Sequence, residues 1–245
     1  HFFHPMLEFI EVFWLRDGFD IICGNPPWRV SSLSIIDVVA EKYPEVVLHD
    51  YKAPEVTAKK GFYLQNFELN EIYKSETLES NCSNSFTNAY CNYPFLQGIE
   101  TDLYLCILEN SLDLLSNYGF MGMVHPDSIY ENKNGRIFRE SIYKRLCYHF
   151  QYQNELRLFS EVHHEKVYGV NVYGPNKELP NFLSMHNVFH PNTVDASFAH
   201  DGHGKCYGEK HEGKWNVLPH KERLVHFDKE ALDVLASTLE EDISN

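Results

Sequence analysis

The chain is poor in positive charge. Lys and Arg number 21 against 35 Asp and Glu, a formal net charge of −14 over 245 residues. Affinity for nucleic acid comes largely from neutralised phosphates, so a protein that grips DNA or RNA by itself usually carries a basic face. The bulk charge argues against free-standing nucleic-acid binding and leaves room for a local site. No run of 18 apolar residues exists, so no membrane partner is expected. Residues 1–15 are apolar but interrupted by Glu8 and Glu11, and lack the basic start and unbroken core of a signal peptide. None of the six cysteines forms a C-x-x-C pair, which excludes the commonest metal and redox motifs. Free thiols in a reducing cytoplasm are expected, with Cys23 and Cys106 in the core. G-x-S-x-G, H-E-x-x-H and the G-K-[ST] phosphate loop are also missing. Asp50-Tyr51-Lys52 and Glu155-x-Arg157 do not make a convincing nuclease carboxylate set. With 43% hydrophobic and 23% charged residues, the chain is neither disordered, fibrous nor a small disulfide scaffold. It opens on His1 rather than Met, and a piece of a longer protein is expected.

No repeat at a 20–50 residue period is visible. Four regions are read: 1–28, 29–100, 101–175 and 176–245. In the first, Phe19, Ile21, Ile22 and Cys23 predict a strand stopped by Gly24, apolar on both faces as in a parallel strand covered by helices. Residues 29–100 read as an irregular insertion with a helix near residues 34–42, ended by Tyr43-Pro44. In the third, the spacing predicts a helix over 101–116, capped by Thr101, and a strand over 120–124 stopped by His125-Pro126. A helix over 135–147 and strands over 148–158 and 166–173 follow, an α/β layout. The tail has a strand near 182–188, a turn-rich stretch over 190–214 and a helix over 228–240. It reads as the cover of a sheet edge or the lead into a further domain.

The chemistry concentrates at Gly18-Phe19-Asp20-Ile21-Ile22-Cys23-Gly24-Asn25-Pro26-Pro27-Trp28, an apolar strand feeding directly into Asn-Pro-Pro-aromatic. At average residue usage the tetrapeptide arises about once in a thousand chains of this length. Two prolines fix φ and remove two backbone donors, so the turn presents acceptors in a rigid loop. In open α/β sheets, ligands bind at the C-terminal ends of strands. The Asn25 side-chain oxygen and the Pro26 carbonyl can receive the two hydrogens of a planar amine, and Trp28 offers a stacking face. An aromatic amine is a poor nucleophile because its lone pair is delocalised into the ring. Two acceptors favour a pyramidal nitrogen whose lone pair can attack an activated methyl.

At these residues the sequence resembles the gamma-class adenine-N6 DNA methyltransferases, often fused to type II restriction enzymes. Asn25-Pro26-Pro27-Trp28 matches the family's catalytic turn, and the stretch from His4-Pro5-Met6-Leu7 to Phe13 is similar to the approach in restriction-fused members. Asp102-Leu103-Tyr104, the segment from Gly119 to Pro126, and the start of the following helix at Gly135 continue the likeness. Leu158-Phe159-Ser160-Glu161-Val162 is similar to the loop whose aromatic packs on the flipped base. The resemblance implies an α/β fold: the C-terminal half of a Rossmann-like class I methyltransferase sheet, with a large insertion and a C-terminal tail. On this reading 1–28 hold strand and catalytic turn, 29–100 the insertion, 101–175 the rest of the core, and 176–245 the extension. It implies catalytic roles for Asn25, Pro26, Pro27 and Trp28, base contact for Phe159, S-adenosylmethionine as cofactor and double-stranded DNA as partner. The setting implied is bacterial restriction–modification, in the cytoplasm. The family's Gly-rich cofactor loop lies upstream of the turn, and no G-x-G follows a strand in the residues before Asn25. The cofactor-binding residues are therefore expected in the rest of a parent polypeptide, and the chain is expected to be inactive alone.

Each feature has a plainer alternative. The turn also suits protein-glutamine or cytosine-N4 methyl transfer, or a non-catalytic DNA-contacting remnant, and Phe159 reads equally as core. His200, His203, Cys206 and His211 have metal-like spacing, but the glycines among them read as a polar loop, so no metal site is expected. His163-His164 reads as a surface pair with a DNA-backbone contact as the alternative. Arg136, Arg139, Lys144 and Arg145, like Lys59-Lys60, read as solvated helix faces.

Overall fold

The computed structural model describes residues 3–28, 33–99, 102–160 and 162–239. The chain forms two compact units, one of His1–Trp28 with Tyr104–Asn245, the other of Arg29–Leu103. The chain begins with helices α1 (Pro5–Glu8) and α2 (Ile10–Arg16) and strand β1 (Phe19–Gly24). The second unit follows with α3 (Ile35–Ala40), α4 (Glu45–Leu48), α5 (Ala53–Ala58), α6 (Lys60–Tyr63) and α7 (Phe67–Thr87). Then come α8 (Leu103–Asp113), β2 (Leu115–Pro126), α9 (Ser128–Glu131), α10 (Arg136–Tyr143), β3 (Leu146–Gln153) and β4 (Val167–Tyr173). The chain closes with β5 (Asn181–Val188), α11 (Pro191–Phe198), β6 (Lys210–His211), β7 (Lys214–Trp215), β8 (Val225–Asp228) and α12 (Lys229–Leu239).

The fold is mixed α/β. One six-stranded sheet has the order β1-β2-β4-β3-β5-β8, and β6 and β7 form a separate ribbon. β1 pairs parallel with β2, and β3 parallel with β5, while β4 is antiparallel to both β2 and β3. β8 is antiparallel to β5. Four strands therefore run one way, and β1, β2, β3 and β5 all end on one edge of the sheet. The turn after β1 and the loop from β3 to β4 lie on that edge. Gly18 makes the entry to β1: its φ is +137°, and a Cβ there would meet the Ser116 backbone nitrogen at 2.6 Å.

Several elements depart from the sequence expectations. Residues 29–100 are not irregular. The second unit is helical, with a core of Val38, Val39, Val46, Val56, Tyr63 and Leu69. Its longest helix, α7, runs through the Asn- and Ser-rich stretch that reads as loop. Asn66 caps it by accepting from the Leu69 amide at 3.1 Å. Inside it, the Thr77 and Ser85 hydroxyls are satisfied within the helix, donating to the carbonyls of Tyr73 and Asn81 one turn back. β2 does not stop before His125-Pro126 but ends at Pro126, the strand's final residue, beside Tyr168. The helix expected over 135–147 is only Arg136–Tyr143, because Leu146 already pairs in the sheet. The strand expected over 148–158 is displaced to Leu146–Gln153. The turn-rich stretch contains α11, with Pro191 in its first turn. The tail widens the sheet itself, through β5 and β8, rather than only covering an edge. The expected Thr101 cap lies outside the described residues.

β1 is not covered on both faces. Among the described residues it is an outer strand, and Ile21 is 72% exposed. Cys23 is consequently exposed rather than core, whereas Cys106 is buried. All six cysteines are free. No helix among the described residues is long and apolar enough to cross a membrane.

Candidate functional site

The Asn25–Trp28 turn leaves β1 at the edge where four strands end. Asn25 is exposed, Pro26 buried, Pro27 exposed and Trp28 half-buried. Trp28 points into the sheet end: its indole N–H donates to the Val124 carbonyl at 3.3 Å. This bond ties the turn after β1 to the strand beside it and fixes the indole plane.

Trp28 belongs to an aromatic cluster. Its ring centroid lies 5.7 Å from Tyr168 and 5.8 Å from Phe159, the latter edge to face. Phe159 stands edge to face on Tyr168 at 5.0 Å, and Tyr152 stacks on Tyr168 at 5.5 Å. The cluster continues into a buried group of Met185, Val188 and Val194. Burial pushes the Tyr168 phenol up to about 12. Burial, then Tyr168 and Asp195, raise Tyr152 to about 12 as well. Both stay neutral at physiological pH, so the cluster is an uncharged aromatic floor. Tyr168 joins Trp28 and Phe159, yet sequence reading assigned it no role; its place in the apolar run Val167–Tyr173 reads simply as strand.

The loop carrying Phe159 is held by one side chain. Asn154 is fully buried. Its amide nitrogen donates to the carbonyls of Phe159 at 2.9 Å and Val162 at 2.8 Å. Its oxygen accepts from the Phe159 amide at 3.0 Å. His163 and His164 lie on the same loop, rings stacked 4.6 Å apart. Each has a carboxylate nearby, Glu165 at 3.8 Å and Glu155 at 3.5 Å.

Behind this edge runs a buried polar network. The His149 ring bridges Asp127 Oδ1 and Ser184 Oγ, each at 2.9 Å, and Gln151 donates to Asp127 Oδ2 at 2.7 Å. Burial pushes Asp127 up, but the bonds from His149 and Gln151 outweigh it and hold the carboxyl below its ordinary value. Gly169 leaves space for the network, since a Cβ there would lie 2.7 Å from Asp127 Oδ1. A Ser–His–Asp sequence of this kind serves hydrolases only where the serine meets substrate. Ser184 is fully buried and also bonded to His186 at 3.0 Å, so these residues knit strands together.

The other candidates are placed as follows. Arg139 is turned inward, donating to the carbonyls of Ile129 and Asn132, and is not a solvated phosphate contact. Lys60 donates to the Tyr73 hydroxyl at 2.7 Å, and Lys59 lies over the Tyr51 ring. His200, His203, Cys206 and His211 do not gather into one cluster: His211 packs on Tyr207 at 4.0 Å, and His200 on His220 at 4.6 Å. The described residues before β1 form α1 and α2, not a strand followed by a Gly-rich loop.

No family model and no curated protein matches the chain. Among solved structures it is similar to a DrdV–DNA complex, at 14% identity and a TM-score of 0.46, over 98% of this chain and 20% of that one. A type I restriction–modification system assembly has 11% identity and a TM-score of 0.41, over 89% and 36% of the two chains. The type I methyltransferase subunit from Streptococcus thermophilus has 14% identity and a TM-score of 0.35, over 66% and 29%. The chain thus spans about a fifth to a third of these proteins' lengths. At such scores none of them decides a fold family or an activity for this chain.

Proposed function

We propose that this chain is the target-base half of a DNA adenine-N6 methyltransferase of the restriction–modification type, its sheet being the C-terminal half of a Rossmann-like methyltransferase sheet. The observation that carries the reading is the placement of the Asn25–Trp28 turn and the Phe159 loop together on the sheet edge where β1, β2, β3 and β5 end. Among the described residues the exposed Asn25 side chain has no internal hydrogen-bond partner, so its oxygen is free for a ligand. Asn25 Oδ1 and the Pro26 carbonyl accept the two hydrogens of the exocyclic amine of a flipped adenine. Trp28, braced by Tyr168 and by the Val124 carbonyl, stacks on the base. For Phe159 to close the second face, its edge contact with Trp28 must open. The methyl donor is held by residues other than those of the Asn25–Trp28 turn and the Phe159 loop.

The test is a binding comparison at about 0.15 M salt, where charge repulsion by the acidic chain is screened beyond roughly 8 Å. Short duplexes carry one mispaired adenine, purine (the same base without its amine) or cytosine. Two hydrogen bonds of about 1 kcal/mol each give adenine an advantage of roughly tenfold or more over purine. Asn25→Ala removes about half of that free-energy advantage and leaves the part due to the Pro26 carbonyl. Equal binding of adenine and purine would sink the reading, and preference for cytosine would redirect it to cytosine-N4 transfer.

A further inference from the structure

The segment from α11 to β8 forms a half-open cavity of about 240 Å³ with an unusual lining for so acidic a chain. Lys205, Arg223, His200, His220, Tyr207 and Asn216 face it, and no carboxylate does. His220 is 4% exposed, and its Nε2 is buried without any hydrogen-bond partner. The state of that nitrogen follows from the other one. His220 Nδ1 accepts from the Glu222 amide at 3.2 Å, so the proton of the neutral ring sits on Nε2. His220, a residue of the cavity wall, therefore holds an N–H donor closed off from water with nothing to receive it, a costly arrangement in a finished structure. His200 repeats the pattern: its Nδ1 accepts from the Gly202 amide at 3.0 Å, which leaves Nε2 as the donor.

Charge points the same way. Arg223 is half-buried, and its guanidinium donates to the carbonyls of Leu218 and Asn187, both at 2.9 Å. Among the described residues neither Arg223 nor Lys205 has a carboxylate partner. Burial alone holds Arg223 below its ordinary range, with only the nearby Cys206 opposing. A charge half withdrawn from water, as at Arg223, is normally paired, whereas Lys205 is exposed at the cavity's rim. The two nearby carboxylates stand at the other nitrogens of the imidazoles, Asp201 at 3.7 Å from His200 Nδ1 and Glu222 at 3.8 Å from His220 Nδ1.

We propose that this cavity binds an oxyanion of the phosphate type, held by Arg223 and Lys205 and by the Nε2–H groups of His220 and His200. The proposal does not rest on the base-binding reading. The same chemistry serves a free phosphate or a phosphate of a DNA backbone. Cys206, His220 and Glu222 also place ligand atoms within 4.8 Å of one another, the spacing of a metal-binding group. The capping bond at Nδ1 and the proton on Nε2 make His220 a donor instead, and Arg223 beside Cys206 disfavours a cation.

Inorganic phosphate, titrated into the whole chain to about 10 mM, decides the matter by calorimetry and by the ¹⁵N resonance of the His220 ring. One phosphate binds per chain, and the Nε2–H signal of His220 shifts. Lys205→Glu, at an exposed position, weakens binding by tenfold or more with unchanged circular dichroism. Arg223→Gln does so too if it folds. A duplex DNA arm separates the sources: a matching loss in Lys205→Glu marks a backbone phosphate, and no change marks a free oxyanion. Absence of phosphate binding, binding indifferent to Lys205→Glu, or a His220 response to Zn²⁺ that requires Cys206 and not to phosphate overturns the proposal.

Discussion

Asn154 shows how much one side chain decides at this site. It gives two hydrogen bonds to loop carbonyls and takes one from the Phe159 amide, with no exposure to water. Asn154→Ala leaves those backbone groups without partners where water cannot readily replace them. A loss of about 2–3 kcal/mol is expected, set by desolvated groups rather than by the bonds' net worth. The local effect is more specific than the global one. In a Trp14→Phe, Trp215→Phe background, where Trp28 alone emits, the substitution releases Phe159 and shifts the emission to the red. A urea midpoint and an emission maximum both matching the parent's would refute the clamp. Tyr168→Leu tests the floor beneath: the apolar volume is largely kept, but the ring contacts to Trp28, Phe159 and Tyr152 are lost. It is expected to cost roughly 1–2 kcal/mol in the same urea measurement.

At the scale of elements, β2, β3, β4 and β5 are joined by polar side chains as well as by their ladders. His125 on β2 is fully buried and stacks on Tyr104. Asn171 on β4 donates to His125 Nε2 at 3.0 Å, so Nδ1 carries the proton and donates to the Pro126 carbonyl at 2.8 Å. Burial drives His125 from 6.5 down to about 4. Burial likewise lowers His186. The unfolded chain takes up its proton near pH 6.5, while the folded chain resists until about pH 4. Stability is therefore full above pH 6.5 and falls as pH drops toward 4, by about 3 kcal/mol for this group. Asp127, held below its ordinary value, adds its own loss only at more acid pH. Urea titrations across this window should show a shallower slope for His125→Asn than for the parent, and an unchanged slope would disprove the assignment.

The same strands show what a sequence can and cannot tell. Phe19 to Trp28 was legible because strand and turn are contiguous, and the two prolines leave few backbone choices. Tyr168, and the packing of Trp28 and Phe159 directly on it, were not. That packing depends on β4 running antiparallel between β2 and β3, and a strand's own pattern does not state its neighbours. α7 was hidden by composition: Asn, Ser and Thr favour loops, and what stands against that preference is the Asn66 cap and the packing of Leu69, Ile72 and Tyr73 in its first turns. The exposed Cys23 reflects the reverse, a strand whose apolar pattern expects a neighbour that the described residues do not supply.

For the molecule as a whole, that outer strand matters most. Among the described residues β1 has no strand beside it on one side, with Ile21 72% exposed and Trp14 on the preceding helix 85% exposed. An outer strand is normally paired, covered or charged, and β1 carries one charge, Asp20, ion-paired with Arg16 at 2.9 Å. The net charge of −14 opposes association in general but does not satisfy the strand's backbone. The isolated chain is accordingly expected to self-associate as its concentration rises, more strongly in high salt, where the repulsion is screened. Ile21→Lys places a charge on the exposed strand at little cost to folding, because the side chain is mostly in water already. Sedimentation velocity of the parent and this variant, at low and high salt, separates the causes. Loss of association in Ile21→Lys at both salts assigns it to β1. Equal association in the two proteins would show that the edge is protected in solution, and that other exposed apolar surface governs the chain's behaviour.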